Sequence, residues 1–151
     1  EWNRQEHHMK IIGAALLGVL TISPVRAEDK PAFDAAKIQG TGMIVSGQKY
    51  GEKVGEEMIK GEVIISKDGI VIKAKDQDHV MTYKLDAKAS PVAITMVGKE
   101  GPAKDLTSEG IIELKGDELK LCYAFPGEKR PTAFETKKGD KNLLFLLKRA
   151  K

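Results

Sequence analysis

The chain has 151 residues, with 25 Lys and Arg against 22 Asp and Glu, and that length fits one domain of roughly 100–200 residues. Three of the bases (Arg4, Lys10, Arg26) and two of the acids (Glu1, Glu6) fall within residues 1–27. The other 22 bases and 20 acids are spread along the chain, which excludes the concentrated basic footprint of a nucleic-acid binder.

The N-terminal stretch reads as a signal-peptide region over residues 1–27. Met9-Lys10 is a short positive start, Ile11 to Ile22 is a weakly polar to apolar run, and Ser23-Pro24 breaks it ahead of Val25-Arg26-Ala27. That order of charged, apolar and small-residue segments predicts cleavage after Ala27 and export to the periplasm or beyond the cell. The run of 12 residues is too short for a bilayer, which needs about 20, so no integral membrane span is expected in the mature form. Residues 1–8 read as sequence upstream of the natural start, so His7-His8 carries no metal reading. Trp2, the one Trp, is lost with them, which leaves few platforms for stacking bases. Cys122 is the one cysteine; it can form no intramolecular disulfide and reads as a small hydrophobe in a strand.

Residues 28–37 (Glu28 to Lys37) are charged and contain Pro31, and they read as a flexible leader. A single β domain is expected over 38–151. From Ile38 onward, alternation replaces helical periodicity. Ile70, Ile72 and Ala74 alternate with Val71 and Lys73; Met81, Tyr83 and Leu85 with Thr82 and Lys84; Leu119, Leu121 and Tyr123 with Lys120 and Cys122. Period two with one apolar face predicts half-buried strands. In chain order they fall at 38–46, 62–66, 69–75, 79–85, 92–97, 109–114, 118–124, 131–137 and 142–149. Between 47 and 61, Glu56 to Lys60 offers a turn or two of helix at most. Lys67-Asp68-Gly69 and Lys115-Gly116-Asp117 are compact hairpin turns, and Ser90-Pro91 and Gly101-Pro102 are further breaks. The expected class is all-β: an antiparallel up-and-down barrel of about eight strands, or alternatively a β-sandwich.

Several runs in order resemble a family of small exported, lipocalin-like domains of unknown function typical of planctomycete-type bacteria. They are Ile38-Gln39-Gly40-Thr41-Gly42, Tyr83-Lys84-Leu85-Asp86 with Pro91, Gly110-Ile111-Ile112-Glu113-Leu114, and Gly116 through Tyr123. Arg130-Pro131-Thr132-Ala133-Phe134 and Leu146-Leu147-Lys148-Arg149 complete the set. The resemblance implies a lipocalin-like barrel and no particular activity. It departs at Gly42, where such barrels carry a Trp that packs at the closed end beneath an Arg of the last strand. Arg149 is in place for that Arg, and the sequence offers Phe145 or Phe33 to fill the space.

Chemistry-bearing constellations are sparse. Beyond residue 27 the chain has one His, His79, and no Gly-x-Ser-x-Gly, so no nucleophilic triad and no catalytic residue is assigned. Asp76-Gln77-Asp78-His79 is the most metal-like tetrapeptide, but it lacks the further His or Cys a zinc site draws on, and it reads as a polar turn. No glycine loop opens a helix as a phosphate cradle would, and no cofactor is expected.

What remains is the barrel interior. The more apolar phase runs through Ile44, Ile72, Met81, Ile94, Met96, Leu119, Leu121 and Phe145, with His79 and Thr132 near strand ends. The candidate ligand lining is Met81, Tyr83, Tyr123, Arg130 and Phe134, two phenols and a guanidinium above an apolar surface; the alternative is that the two Tyr are ordinary core residues and Arg130 a surface ion-pair partner. Such a set suits an apolar or amphipathic molecule with an anionic head. The expected function is therefore a non-catalytic exported barrel that binds one small ligand, with a protein-interaction or envelope-assembly module as the alternative.

Overall fold

The computed structural model describes residues 33–73 and 75–150; the expected signal peptide and its cleavage site lie outside them. Nine strands follow in chain order: β1 (Gly40–Lys49), β2 (Glu52–Lys53), β3 (Glu62–Ile65), β4 (Gly69–Lys73), β5 (His79–Asp86), β6 (Val92–Gly98), β7 (Thr107–Lys115), β8 (Glu118–Ala124) and β9 (Asn142–Arg149). Helix among the described residues amounts to one turn, α1 (Glu56–Ile59), and a 3-10 turn at Ala35–Ile38. None is long and apolar enough to cross a membrane.

Each strand from β3 to β9 pairs antiparallel with the next, and β1 takes β3 on one side and β9 on the other. Eight strands thus close on themselves, while β2 adds only a two-residue hairpin to the end of β1. Closure settles barrel against sandwich. It also satisfies both edges that an open sheet would present to other chains. A bulge between Ile44 and Ser46 shifts the register of β1 against β9, so Gly42 and Ile44 share the inward phase before it and Gly47 takes it after. The core follows that phase around the barrel: Val63 and Ile65, Ile70, Ile94 and Met96, Ile112, Leu119 and Leu121, and Leu143, Phe145 and Leu147.

The antiparallel order sorts the connections to two ends. The β3–β4, β5–β6 and β7–β8 hairpins lie at one end with the 3-10 turn. The last part of the expected leader is therefore folded: Asp34 caps the turn by accepting from the Ala36 N–H at 3.0 Å, and Ile38 is buried. Arg149 donates to the Lys37 carbonyl, which ties β9 to the same plug. Ile38 closes this end and Phe33 packs against the same core, while Phe145 sits farther along β9 opposite Gly47. A cavity of only about 30 Å³ remains beside Gly42 and Arg149.

No strand forms over 131–137. The segment 125–141 is instead a long connection between β8 and β9. The alternation there had no partner to find, because β8 and β9 pair with each other and leave no free edge, and Pro131 lacks a ladder donor. The connection lies against the outer wall. Arg130 Nη2 donates to Thr95 Oγ1 and to Glu109 Oε1, both at 3.0 Å. Cys122 Sγ lies 3.7 Å from the Glu135 carbonyl oxygen, and the Gly51 N–H donates to Thr136 Oγ1 at 3.0 Å. Beneath this cover, the outward residues Ala93, Ile111, Cys122 and Ala124 are buried as a second, smaller core.

Candidate functional site

The half of the barrel away from the plug holds a cavity of about 700 Å³, within the range of about 300–1,000 Å³ typical of small-molecule sites. Its wall is formed by Ile72, Met81, Met96, Leu121, Tyr123 and Phe145, and its floor by Ile38, Leu119 and Leu147. The reason for the space is legible in the side chains. Where β6 and β7 approach the mouth, their inward positions are Gly98 and Ser108, too small to reach the facing wall. Toward the plug the same phase carries Ile94 and Ile112, and that half is filled. The space opens to the outside at the rim, so solvent or a guest occupies it.

Two of the five sequence-predicted lining residues, Met81 and Tyr123, stand in the cavity wall. Tyr83 keeps the inward phase but leans toward the plug end, where its hydroxyl donates to the Ser66 carbonyl oxygen at 2.8 Å. Burial, and to a smaller extent the Asp68 carboxylate, pushes its phenol above the ordinary value. Arg130 and Phe134 belong to the outer connection and take no part in the cavity lining. The expected guanidinium for an anionic head is therefore not available inside; it is held by Glu109 on the outer wall. Thr132 is exposed on the same connection. His79 does reach the rim as expected.

Tyr123 is the polar group set deepest in the wall. Its ring stacks on Phe145 with centroids 6.2 Å apart, and burial pushes its phenol up to about 12, so it stays protonated at any physiological pH. Its hydroxyl makes no hydrogen bond to another described residue. The part of the side chain left accessible is cavity wall.

The rim carries mixed charge. Lys60, Lys73 and Lys75 stand among Glu57 and Glu62. Lys73 is paired with Asp78 at 2.5 Å and Lys60 with Glu56 at 3.3 Å. Lys75 has no ion pair among the described residues. Asp78 is thus engaged by Lys73 while His79 faces the cavity, so Asp76-Gln77-Asp78-His79 spreads its groups instead of converging them. Among the described residues no three His, Cys, Asp or Glu side chains gather as a metal site would require. Met58 and Leu106 add two exposed apolar side chains to the rim. Sequence reasoning passed over Met58, Lys60, Leu106 and Ser108. The available signal was the run of small inward residues at Gly98 and Ser108 opposite strands that carry Ile and Met.

Comparison of the chain with family models, with curated proteins and with solved structures finds no match.

Proposed function

We propose that this chain is an exported, non-catalytic, lipocalin-like barrel that carries or senses one small, largely apolar molecule. The single observation that carries the reading is the apolar cavity of about 700 Å³ enclosed by the strands and reached past a rim of Met58, Leu106 and lysines. An eight-stranded barrel is just wide enough either to fill itself or to hold one small ligand, and small residues at Gly98 and Ser108 tip this one to the second outcome. Export rests on the signal-peptide pattern ahead of Glu28, and the lipocalin-like kinship on the ordered runs from Ile38 to Arg149.

The test is native mass spectrometry of protein purified from its own cell envelope. The expected species begins at Glu28 and carries one added small mass that is lost on denaturation. A stoichiometric protein partner with no small mass would favour the interaction-module alternative. A stable cytoplasmic species that begins at Met9 would remove the export part.

A further inference from the structure

We infer that the molecule taken by this cavity is uncharged and presents one hydrogen-bond acceptor, a carbonyl, ether or hydroxyl oxygen, to the Tyr123 hydroxyl, the rest of it being apolar. The inference rests on the reading of the barrel interior as a binding site, and it names the class of ligand that site takes.

Three observations converge on it. Tyr123 is held rigidly in the wall by its stack on Phe145 and by the close approach of β7 at Gly110, yet its hydroxyl has no partner among the described residues. That hydroxyl is open to the cavity, so a guest that displaces solvent from it and supplies an acceptor gains over one that leaves the donor unpaired. The donor is neutral and stays neutral, because burial holds the phenol far above its ordinary value.

The second observation concerns charge. Arg130, the strongest anion-binding group the sequence offered, is spent on Glu109 and Thr95 outside the barrel. The cations that do border the cavity are rim lysines interleaved with Glu57 and Glu62, two of them already paired. A carboxylate drawn in to Tyr123 would give up its hydration with no counter-charge beside it. The third is the wall around Tyr123: Ile72, Met81, Met96, Leu121 and Phe145 offer dispersion contacts, while the hydrogen-bonding side chains His79 and Ser108 of the lining stand nearer the mouth. At the depth of Tyr123, one acceptor is what the wall can read.

The test uses displacement of the neutral fluorescent probe N-phenyl-1-naphthylamine by undecane, 2-undecanone and undecanoate at pH 8, on the mature protein and on Tyr123→Phe. The ketone is expected to compete at least tenfold better than the carboxylate on the wild-type protein. Tyr123→Phe keeps the ring stack, so its urea midpoint should stay close to wild type, while the ketone weakens about fivefold and undecane is unchanged. Undecanoate that competes as well as the ketone would overturn the inference on wild-type protein alone, whether or not the variant folds. Equal competition by the ketone on both proteins would overturn it too. Should the probe itself fail to bind saturably, the cavity reading falls first and this inference with it.

Discussion

Gly47 and Phe145 face each other where β1 closes onto β9, and a Cβ on Gly47 would stand 2.8 Å from the Phe145 ring and 2.6 Å from a Val54 methyl. The missing side chain lets Phe145 lie against β1 and stack on Tyr123, which shapes one wall of the cavity. Val is stiff about χ1, so the methyl has little room to retreat. Gly47→Ala should therefore lower stability by about 1–3 kcal/mol as an overpacked core change. A urea midpoint equal to wild type would place the Phe145 ring elsewhere.

The plug end makes the opposite demand on Gly42. A Cβ there would meet the Lys148 carbonyl oxygen at 3.2 Å, and the neighbouring cavity of about 30 Å³ suits one or two waters, not an indole. Ile38 and the Arg149 bond to Lys37 already occupy this end of the barrel. Gly42→Trp is expected to destabilise by about 1–3 kcal/mol. A stabilised variant would show that the plug is loose enough to be displaced.

Arg130 is a strut of the outer connection. Its pair with Glu109 is about one-third to one-half exposed, so a double-mutant cycle of Arg130→Ala and Glu109→Ala should give a coupling of about 0.2–1 kcal/mol. Limited proteolysis within 125–141 should speed up in Arg130→Ala, and probe binding to the cavity should stay unchanged. Loss of probe binding in that variant would return Arg130 to the ligand site.

Alkaline pH should erode the fold in a defined window. Burial pushes the Cys122 thiol from 9.0 up to about 11 and the Tyr123 phenol from 10.0 up to about 12. In the unfolded chain both titrate at their ordinary values, so above pH 9 the unfolded state releases protons that the folded state retains. Unfolding then becomes more favourable as pH rises, and the loss is complete only above the folded values. Stability measured by urea should be level to about pH 9 and decline beyond it. Cys122→Ala should flatten the part from about 9 to 11, and Tyr123→Phe the part from about 10 to 12. A decline of the same slope in both variants would remove these groups as its cause. The same burial makes the thiol unreactive toward a disulfide reagent until urea opens the connection.

Alternation alone located the eight strands of the closed barrel, because one face of each is buried and period two survives wherever that holds. It misplaced boundaries where the pattern is interrupted: β1 runs on to Lys49 through its bulge, and β7 begins at Thr107. It also produced a strand at 131–137, because alternation between Pro131 and Lys137 says nothing about whether a free edge exists to pair with. Arg130 and Phe134 entered the candidate lining through that segment and left it for the same reason. Cys122 illustrates the limit from the other side. Its phase opposite Leu121 and Tyr123 was legible, but its complete burial was not, since the cover comes from a connection with no local pattern. Met81 and Tyr123 were legible as inward residues; that they border open space depends on Gly98 and Ser108 across the barrel, a relation between strands that only closure sets.

The most direct test of the central claim is methyl-resolved NMR of the protein during titration with 2-undecanone. Saturable one-to-one shifts are expected at Ile72, Met81, Met96 and Leu121, with Ile64 and Leu146 on the outer wall unmoved. Shifts confined to the outer wall, or no saturable shift at the four inward methyl groups, would contradict a ligand-binding interior.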